Sequence, residues 1–205
     1  NNENHAISAR TSNLVNITDN KIKTEGYHQD MGWNNNSGEW TGAILVSGIE
    51  LAGTSNTNIT SNNVTVLNLN TARNGYESIE GVTIKGSASE NILVNNNNIT
   101  VRDANYNYGT TVSAGATNVT FDNNTFNITG PHYACGVQVD NTDNSYIINN
   151  TIYAIANGTN LNSTEEQLAY GIILTCWNVG DCDHNTIANN YIKLTAPIGY
   201  GIELF

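Results

Sequence analysis

The sequence predicts an all-β fold: a single-stranded right-handed parallel β-helix, or solenoid, of about six coils. Three observations support this prediction. A turn segment containing asparagine recurs six times, a short strand led by a small residue recurs between these turns, and the repeat is too short to form a core alone. Such repeats must stack on their neighbours, and parallel crossover connections are almost always right-handed.

The asparagine turn is a segment of eight residues with fixed apolar and polar positions. Residues 119–126 are typical, with apolar Phe121 in third place, Asn124 in sixth place and apolar Phe126 in eighth place. The asparagines in sixth place are Asn20, Asn62, Asn97, Asn124, Asn150 and Asn190. Asparagine tolerates positive φ at a sharp bend, and stacked asparagines hydrogen-bond to one another. We therefore expect these residues to bend the chain and to form an asparagine ladder.

A second pattern follows each turn and consists of a small residue and an alternating apolar strand. Gly136-Val137-Gln138-Val139 shows the pattern most plainly. The same element starts at Ala6, Ala43, Gly81, Gly109, Gly171 and Gly201. Alternation with a period of two residues predicts strands with one buried face.

The spacing of the turns predicts where the loops lie. Phe126 and Ile152, which are eighth residues of successive turns, are 26 residues apart, whereas Ile22 and Val64 are 42 apart. We take the shortest spacing, 26 residues, as the length of one coil and assign the additional residues of longer spacings to loops. The prediction is one domain, 1-205, with loop insertions at 25-42, 67-80, 155-169 and 175-184.

The two patterns together resemble the parallel β-helix repeats of the pectin-lyase-like superfamily. The resemblance rests on the Asn-Asn-x-Ile/Phe turn and on the Tyr-Gly-Ile-x-Leu strands that begin at Tyr170 and Tyr200. In its asparagine and threonine content the chain is most similar to cell-surface and adhesin-like proteins of methanogenic archaea. The resemblance covers nearly the whole chain and implies a right-handed β-helix. It does not select one function, because this architecture carries lyases, hydrolases, adhesins and structural layers.

Composition favours a protein that works outside the cell. Only 12% of the residues are charged, against roughly 25% in an ordinary soluble domain. The formal net charge is −11 and the few basic residues are scattered, which argues against nucleic acid or an anionic membrane as a partner. No apolar run is long enough for a transmembrane helix. We expect an extracellular, cell-surface location and no direct insertion into a membrane by this segment.

The spacing of two of the three cysteines predicts a disulfide. Cys176 and Cys182 bracket a short segment, and a disulfide there suits an oxidising compartment. A zinc half-site is the alternative, but the second pair of ligands that zinc requires is missing from the sequence pattern. Cys135 is expected either as a buried residue or as one half of an intermolecular disulfide.

The sequence offers no catalytic residues, metal ligands or cofactor-binding residues that we would assign. Asn141-Thr142-Asp143 resembles part of the first polygalacturonase motif, but the other motifs of that family do not follow it. A turn capped by a side chain accounts for it better. Asp181 and Asp183 are expected to be solvated loop carboxylates, with a cation shared with Asp143 as the alternative.

Aromatic residues collect near the predicted loop corner and are candidates for an interface or for glycan contact. They are Tyr27, Trp33, Trp40, Tyr76, Tyr106, Tyr108 and Tyr133. The alternative is that these rings pack against the flank of the helix. Eleven Asn-x-Ser/Thr sequons occur, and Asn157 and Asn162 of the long insertion are the candidate glycosylation sites.

The two ends of the predicted helix carry no sequence that looks like a cap. The first and the last strand show the same small-residue pattern, so stacking of identical chains would continue the strand ladder. The residues expected in this end-to-end contact are Ile7, Ala9, Ile202, Leu204 and Phe205. We therefore expect an extracellular structural or adhesive protein that assembles head to tail with itself or with neighbouring surface proteins. A fragment of a longer surface protein is one alternative, and a carbohydrate-binding or polysaccharide-degrading protein is another.

Overall fold

The computed structural model describes residues 4–26, 32–34, 39–41, 46–69, 78–113, 115–158, 166–176 and 182–205. No helix occurs among these residues. Most of the chain repeats a unit of three short strands, which we call a coil. The structure confirms the predicted all-β parallel β-helix with six coils.

The strands follow one another along the coils in a fixed order. The first coil contains β1 (Asn4–Arg10), β2 (Asn16–Thr18) and β3 (Lys21–Gly26). An antiparallel hairpin, β4 (Gly32–Asn34) and β5 (Glu39–Thr41), separates it from the second coil. The second and third coils contain β6 (Val46–Ala52), β7 (Ser55–Thr60), β8 (Asn63–Asn68), β9 (Ser78–Lys85), β10 (Glu90–Asn95) and β11 (Asn98–Arg102).

The remaining three coils repeat this order, and one further strand follows them. The fourth and fifth coils contain β12 (Tyr106–Ser113), β13 (Thr117–Asp122), β14 (Thr125–Gly130), β15 (Tyr133–Asp140), β16 (Tyr146–Ile148) and β17 (Thr151–Ala156). The sixth coil contains β18 (Leu168–Thr175), β19 (Thr186–Ala188) and β20 (Tyr191–Thr195), and it is followed by β21 (Ile198–Leu204).

Three parallel sheets run along the stack. Sheet A has seven strands, β1, β6, β9, β12, β15, β18 and β21 in spatial order. It contains the predicted small-residue strands that begin at Ala6, Gly81, Gly109, Gly136, Gly171 and Gly201. The prediction for the second coil is wrong in register, because Gly48 and not Ala43 lies in line with Ala6 and Gly81. Sheets B and C have six strands each: β2, β7, β10, β13, β16 and β19 in sheet B, and β3, β8, β11, β14, β17 and β20 in sheet C. The asparagine turn joins a strand of sheet B to the next strand of sheet C.

The core is built from apolar columns, in which each side chain lies above its equivalent in the coil below. The third residues of the turns line the inside of sheet B and the eighth residues line the inside of sheet C. Phe121 and Phe126 are the largest fully buried side chains. The alternation seen in the sequence therefore arises because every second strand residue points into this core.

Sheet A bends toward sheet C at a column of glycines. A Cβ atom at Gly136 would lie 2.4 Å from Cγ2 of Ile152 and 2.6 Å from the carbonyl oxygen of Gly171. Gly48, Gly81, Gly109 and Gly171 are equally crowded by the facing strand of sheet C. The small residue that opens the predicted strand is thus needed because a side chain has no room there.

The predicted domain boundaries remain a prediction. The insertions at 25-42, 67-80, 155-169 and 175-184 lie in large part outside the described residues, as do Tyr27, Tyr76 and Asn162. Trp33 and Trp40 face each other as backbone partners in the β4–β5 hairpin.

Candidate functional site

The six turn asparagines form a continuous ladder between sheets B and C. Asn97 donates its backbone N–H (2.9 Å) and its Nδ2 (3.0 Å) to Oδ1 of Asn124, and Asn124 makes the same two bonds to Asn150. Nδ2 of Asn124 also donates to the carbonyl oxygen of Val94 in the coil below, at 2.8 Å. Asn124 is 1% exposed. The ladder satisfies buried backbone groups at every turn, so its role is to hold the coils together.

The expectation that the ladder asparagine itself takes positive φ is wrong. The left-handed residue is the one before it, for example Asn123 (φ 53°) before Asn124 and Ser61 (φ 57°) before Asn62. The physical reason is that the ladder asparagine must turn its amide into the stack, while its neighbour makes the bend on the exposed side.

The outer face of sheet A brings together aromatic side chains from four neighbouring strands, β12, β15, β18 and β21. Neighbouring ring centroids are 5.2 Å apart for Tyr108 and Tyr133, 5.2 Å for Tyr133 and Tyr170, and 5.3 Å for Tyr170 and Tyr200. Tyr106 joins this tyrosine row through Tyr133, with centroids 5.5 Å apart. Tyr170 and Tyr200 are stacked, with ring planes 12° apart, and the other neighbouring rings are tilted by 36° to 45°.

Three of the candidate tyrosines lie where the chain enters sheet A, and their role as an interface or glycan contact stays a prediction. Tyr106 and Tyr108 lie in β12 and Tyr133 lies in β15, at the starts of strands of sheet A. Burial raises the pKa of Tyr108 and Tyr133 well above the ordinary value, and it raises the pKa of Tyr170 to about 12. These hydroxyls stay protonated at any physiological pH.

Glu50, on the outer face of β6, is the centre of a charged cluster that the sequence analysis missed. Its side chain is fully buried. Arg10 reaches Oε1 at 2.8 Å and Ser8 donates to the same oxygen at 3.3 Å. Lys85 reaches Oε2 at 2.7 Å and Nε2 of His5 lies 3.2 Å from it. The cluster ties β1 and β9 to β6 through one carboxylate.

The charge state of Glu50 follows from these contacts. Burial by itself raises the pKa of this carboxyl, but the hydrogen bond from Lys85 and the positive charges around it outweigh burial. The pKa of Glu50 therefore lies below its ordinary value of 4.5. The carboxylate is ionised at neutral pH and attracts its basic neighbours.

Glu80, in β9, has the opposite environment. Burial raises the pKa of this carboxyl, and the negative charge of Glu50 raises it further, although hydrogen bonds from Thr83 and Thr111 act against this. Thr111 donates to Oε2 at 2.7 Å. Two carboxyls on adjacent strands of one face thus have pKa values shifted in opposite directions.

The sequence contains a weak signal for the charged cluster. Glu50 and Glu80 lie inside short apolar strands, two residues after Gly48 and directly before Gly81. A carboxylate in such a place needs a partner, because burying an unpaired charge is costly. The partner Arg10 is 40 residues away, so only the stacking register reveals it.

The cysteines have two different environments. Cys176 and Cys182 form a disulfide with Cα atoms 6.1 Å apart. Cys135 is fully buried in β15, between Tyr108 and Tyr170 of the two neighbouring strands, and burial raises the pKa of its thiol. Burial leaves Cys135 out of reach of a thiol on another molecule.

The residues expected at the ends lie on the outermost strands of sheet A. Ile7 and Ala9 of β1 are partly buried against the core. Ile202, Leu204 and Phe205 are 50%, 67% and 66% exposed. The last strand therefore presents apolar side chains and, among the described residues, a strand edge without a partner.

A shallow depression lies on the outer face of sheet C. It measures about 300 Å³ and is lined by Asn127, Tyr153, Ile155, Lys193 and Thr195. One ring, one amide, one hydroxyl and one ammonium group meet there, and this volume is at the lower limit for ligand pockets.

Neither a metal-binding group of side chains nor a membrane-spanning helix occurs in the described part of the chain. Over those residues no three His, Cys, Asp or Glu side chains are placed to share a metal ion. Nor do they include a helix able to cross a membrane.

Fold and site together define an all-β solenoid, a parallel β-helix held by an asparagine ladder, with a charged and aromatic face on sheet A. Comparison of the chain with protein-family models, with curated proteins and with solved structures gives no match.

Proposed function

We propose that the chain is an extracellular structural or adhesive protein that assembles end to end into a filament or surface layer. The observation that carries this proposal is the apolar, exposed edge of β21. Ile202 and Leu204 continue the columns of Ile172 and Leu174, yet they are half or more exposed. An edge strand of this kind pairs readily with another strand.

Three features support an extracellular surface protein. The disulfide between Cys176 and Cys182 suits an oxidising compartment, and the charged fraction is only 12%. The Tyr-Gly-Ile-x-Leu strands and the asparagine turns support membership of the pectin-lyase-like superfamily and kinship with archaeal adhesin-like surface proteins. On this proposal the partners are further copies of the chain, neighbouring surface proteins and glycans.

Glycosylation is part of the same proposal. Asn157 follows β17 and is exposed, and its sequon is Asn157-Gly158-Thr159. A glycan at this position would point away from the core and leave the coils undisturbed.

The assembly proposal is tested by measuring the mass of the purified chain. Multi-angle light scattering and negative-stain imaging at micromolar concentration, at pH 7 and at pH 3, are expected to show species that grow with concentration. Leu204→Lys places a charge on the strand edge and should suppress growth, while Lys193→Arg serves as the matched control. A monodisperse monomer at both pH values would contradict the proposal.

Carbohydrate binding or degradation is the second candidate, and the depression on sheet C favours it. Tyr153 offers a ring, and Asn127 and Lys193 offer hydrogen-bond donors beside it. Ligand-observed NMR with neutral and acidic oligosaccharides should show saturation transfer that Tyr153→Ala removes. Equal signals from both chains would count against this site, and product analysis of the same mixtures tests for cleavage.

A further inference from the structure

The three sheets differ in the charge that their strands carry. Among the described residues, the strands of sheet C contain one acidic residue, Glu25, and four exposed basic residues, Lys21, Lys23, Arg102 and Lys193. The described strands of sheet A and those of sheet B contain more acidic than basic residues. Sheet C is therefore a basic face on a chain whose formal net charge is −11.

The basic residues of sheet C differ in whether they have an acidic partner. Nζ of Lys23 lies 2.5 Å from a carboxylate oxygen of Glu25, and Nε of Arg102 lies 3.6 Å from one of Asp103. Over the described part of the chain, Lys21 and Lys193 have no carboxylate at ion-pair distance. Of these two lysines, Lys193 lines the depression on the outer face of sheet C and Lys21 does not.

The depression places this ammonium group beside a tyrosine ring. Asn127, Tyr153 and Lys193 lie in one column on the neighbouring strands β14, β17 and β20, and Ile155 and Thr195 lie side by side in the next column. The ring and the aliphatic side chain suit the C–H groups of a sugar, and the amide and the hydroxyl suit its hydroxyl groups. The ammonium group adds a preference for an anionic substituent.

The type of cation indicates the type of anion. Arginine binds a planar carboxylate with two parallel hydrogen bonds, whereas lysine acts as a compact point charge with donors that rotate. A sulfate ester is tetrahedral, and its free oxygens point in several directions. It can therefore accept from the ammonium group of Lys193 without the planar fork that a carboxylate favours.

We propose that the depression on sheet C binds a sulfated saccharide, in which Lys193 pairs with the sulfate and Tyr153 packs against the sugar ring. The inference rests on the carbohydrate-binding candidate for this depression and names the class of its ligand. A longer sulfated chain that runs along the helix axis would reach Arg102, three strands away, at roughly 14 Å, given the spacing of neighbouring strands.

Other anionic macromolecules fit this face less well. Nucleic acid and anionic membranes are held by many Lys and Arg contacts to phosphate groups, each of which adds a small part of the affinity. Sheet C offers two ammonium groups without a carboxylate partner among the described residues. A single sulfate beside a sugar ring matches one lysine beside one tyrosine.

The test uses three galactose disaccharides that differ only at C6 of the terminal sugar, which carries a sulfate ester, a carboxylate or a hydroxyl. Saturation-transfer NMR titrations of the full chain measure the dissociation constant of each disaccharide. The sulfated disaccharide should bind about threefold more tightly than the one with the hydroxyl, the range of an exposed ion pair. The disaccharide with the carboxylate should fall between them.

Substitutions in the depression separate charge from ring contact. Lys193→Gln should weaken binding of the sulfated disaccharide about threefold and remove the preference for sulfate, while Lys193→Arg should keep it. Tyr153→Ala should weaken binding of all three disaccharides about fivefold. Lys23→Gln is the matched control, because Lys23 lies in the same column but is paired with Glu25. Circular dichroism confirms that every variant is folded.

The possible failures are distinguishable. Equal affinity for the sulfated and the hydroxyl disaccharide, with binding still lost in Tyr153→Ala, would overturn the sulfate preference and leave carbohydrate binding standing. If no disaccharide shows saturation transfer, carbohydrate binding fails and the sulfate preference fails with it. Equal losses in Lys193→Gln and Lys23→Gln would move the ligand out of the depression and overturn the proposal.

Competition experiments test whether the whole saccharide is needed. Inorganic sulfate at the same concentration should leave the sulfated disaccharide bound, because it lacks the sugar ring that Tyr153 contacts. Displacement by inorganic sulfate would mean that the site takes the anion alone. Stronger displacement by single-stranded DNA, or by phosphatidylglycerol vesicles, would assign the basic face to one of those partners instead.

Discussion

Sheet A differs from sheets B and C in how deeply the side chains on its outer face are buried. Outward-facing Ser47, Glu50 and Cys135 of sheet A are fully buried. Outward-facing Tyr146 of sheet B and Tyr191 of sheet C are 39% and 57% exposed. At these positions the outer face of sheet A is as buried as the core, although Tyr200 of its last strand is 42% exposed, whereas sheets B and C resemble half-solvated sheets.

The inside of the helix and the outer face of sheet A also differ in how regularly their residue types repeat. Inside the helix each coil repeats the same residue types, in the apolar columns and in the asparagine ladder. On the outer face of sheet A one column contains His5, Ser47, Glu80, Tyr108, Cys135, Tyr170 and Tyr200. The residues that repeat inside the helix determine the fold. The residues on the outer face of sheet A change from coil to coil, so each coil makes different side-chain contacts there. Four substitutions test this distinction, and their expected effects decrease in the order given below.

Gly136→Ala should have the largest effect, because the inside of sheet A has no space for a side chain at the bend. The new Cβ would lie 2.4 Å from Ile152 and 2.6 Å from the backbone of Gly171. We expect a loss of about 3 kcal/mol in the free energy of unfolding, as for severe overpacking of a core. Gly201→Ala, in the same column, is the control, since no atom lies within 4 Å of its added Cβ. Equal denaturation midpoints for both variants would refute the role assigned to the bend.

Asn124→Ala should destabilise the chain by about 2 to 3 kcal/mol, the cost of leaving buried polar groups without partners. The backbone N–H of Asn97 and the carbonyl oxygen of Val94 would each lose a bond. Asn127→Ala on the exposed side of sheet C removes only a 3.2 Å contact with Asn98 and should cost less than about 0.5 kcal/mol. Urea unfolding measures the free energy of unfolding of the two variants. Similar losses would mean that the ladder asparagine contributes no more to stability than an exposed asparagine.

The contrast between inside and outside also explains what could be predicted from the sequence. The apolar columns and Asn20, Asn62 and Asn97 were predictable because position in a repeat is visible without coordinates. Which residue takes the left-handed conformation was not predictable, because Asn123-Asn124 and Asn149-Asn150 offer two asparagines at the same bend. The partnership of Arg10 with Glu50 was hidden because it depends on how two coils align across a long insertion.

Glu50→Gln should remove a charge-dependent part of stability on the outer face of sheet A. At pH 7 we expect a loss of about 2 kcal/mol, the range for hydrogen bonds to charged groups. Since the pKa of Glu50 is lowered in the folded chain, the wild type should lose this advantage as pH falls below 4.5, and the two stabilities should converge. Unfolding midpoints from pH 7 to pH 3 provide the measurement, with Glu25→Gln at the exposed Lys23 pair as control. A constant difference between wild type and Glu50→Gln at all pH values would contradict the assigned charge state.

Tyr170→Leu tests the smallest expected effect, that of ring stacking on the outer face of sheet A. Leucine keeps much of the apolar surface but loses the contacts with Tyr133 at 5.2 Å and Tyr200 at 5.3 Å. Aromatic pairs contribute about 0.5 to 1.5 kcal/mol beyond their buried area, so a loss of about 1 kcal/mol is expected.

The matched control is Tyr153→Leu on sheet C, where the ring meets only Tyr191 edge-on at 6.1 Å among the aromatic contacts of the described residues. Its loss should stay below about 0.5 kcal/mol, as for most surface substitutions. If both substitutions cost the same, the tyrosine row adds nothing beyond ordinary burial.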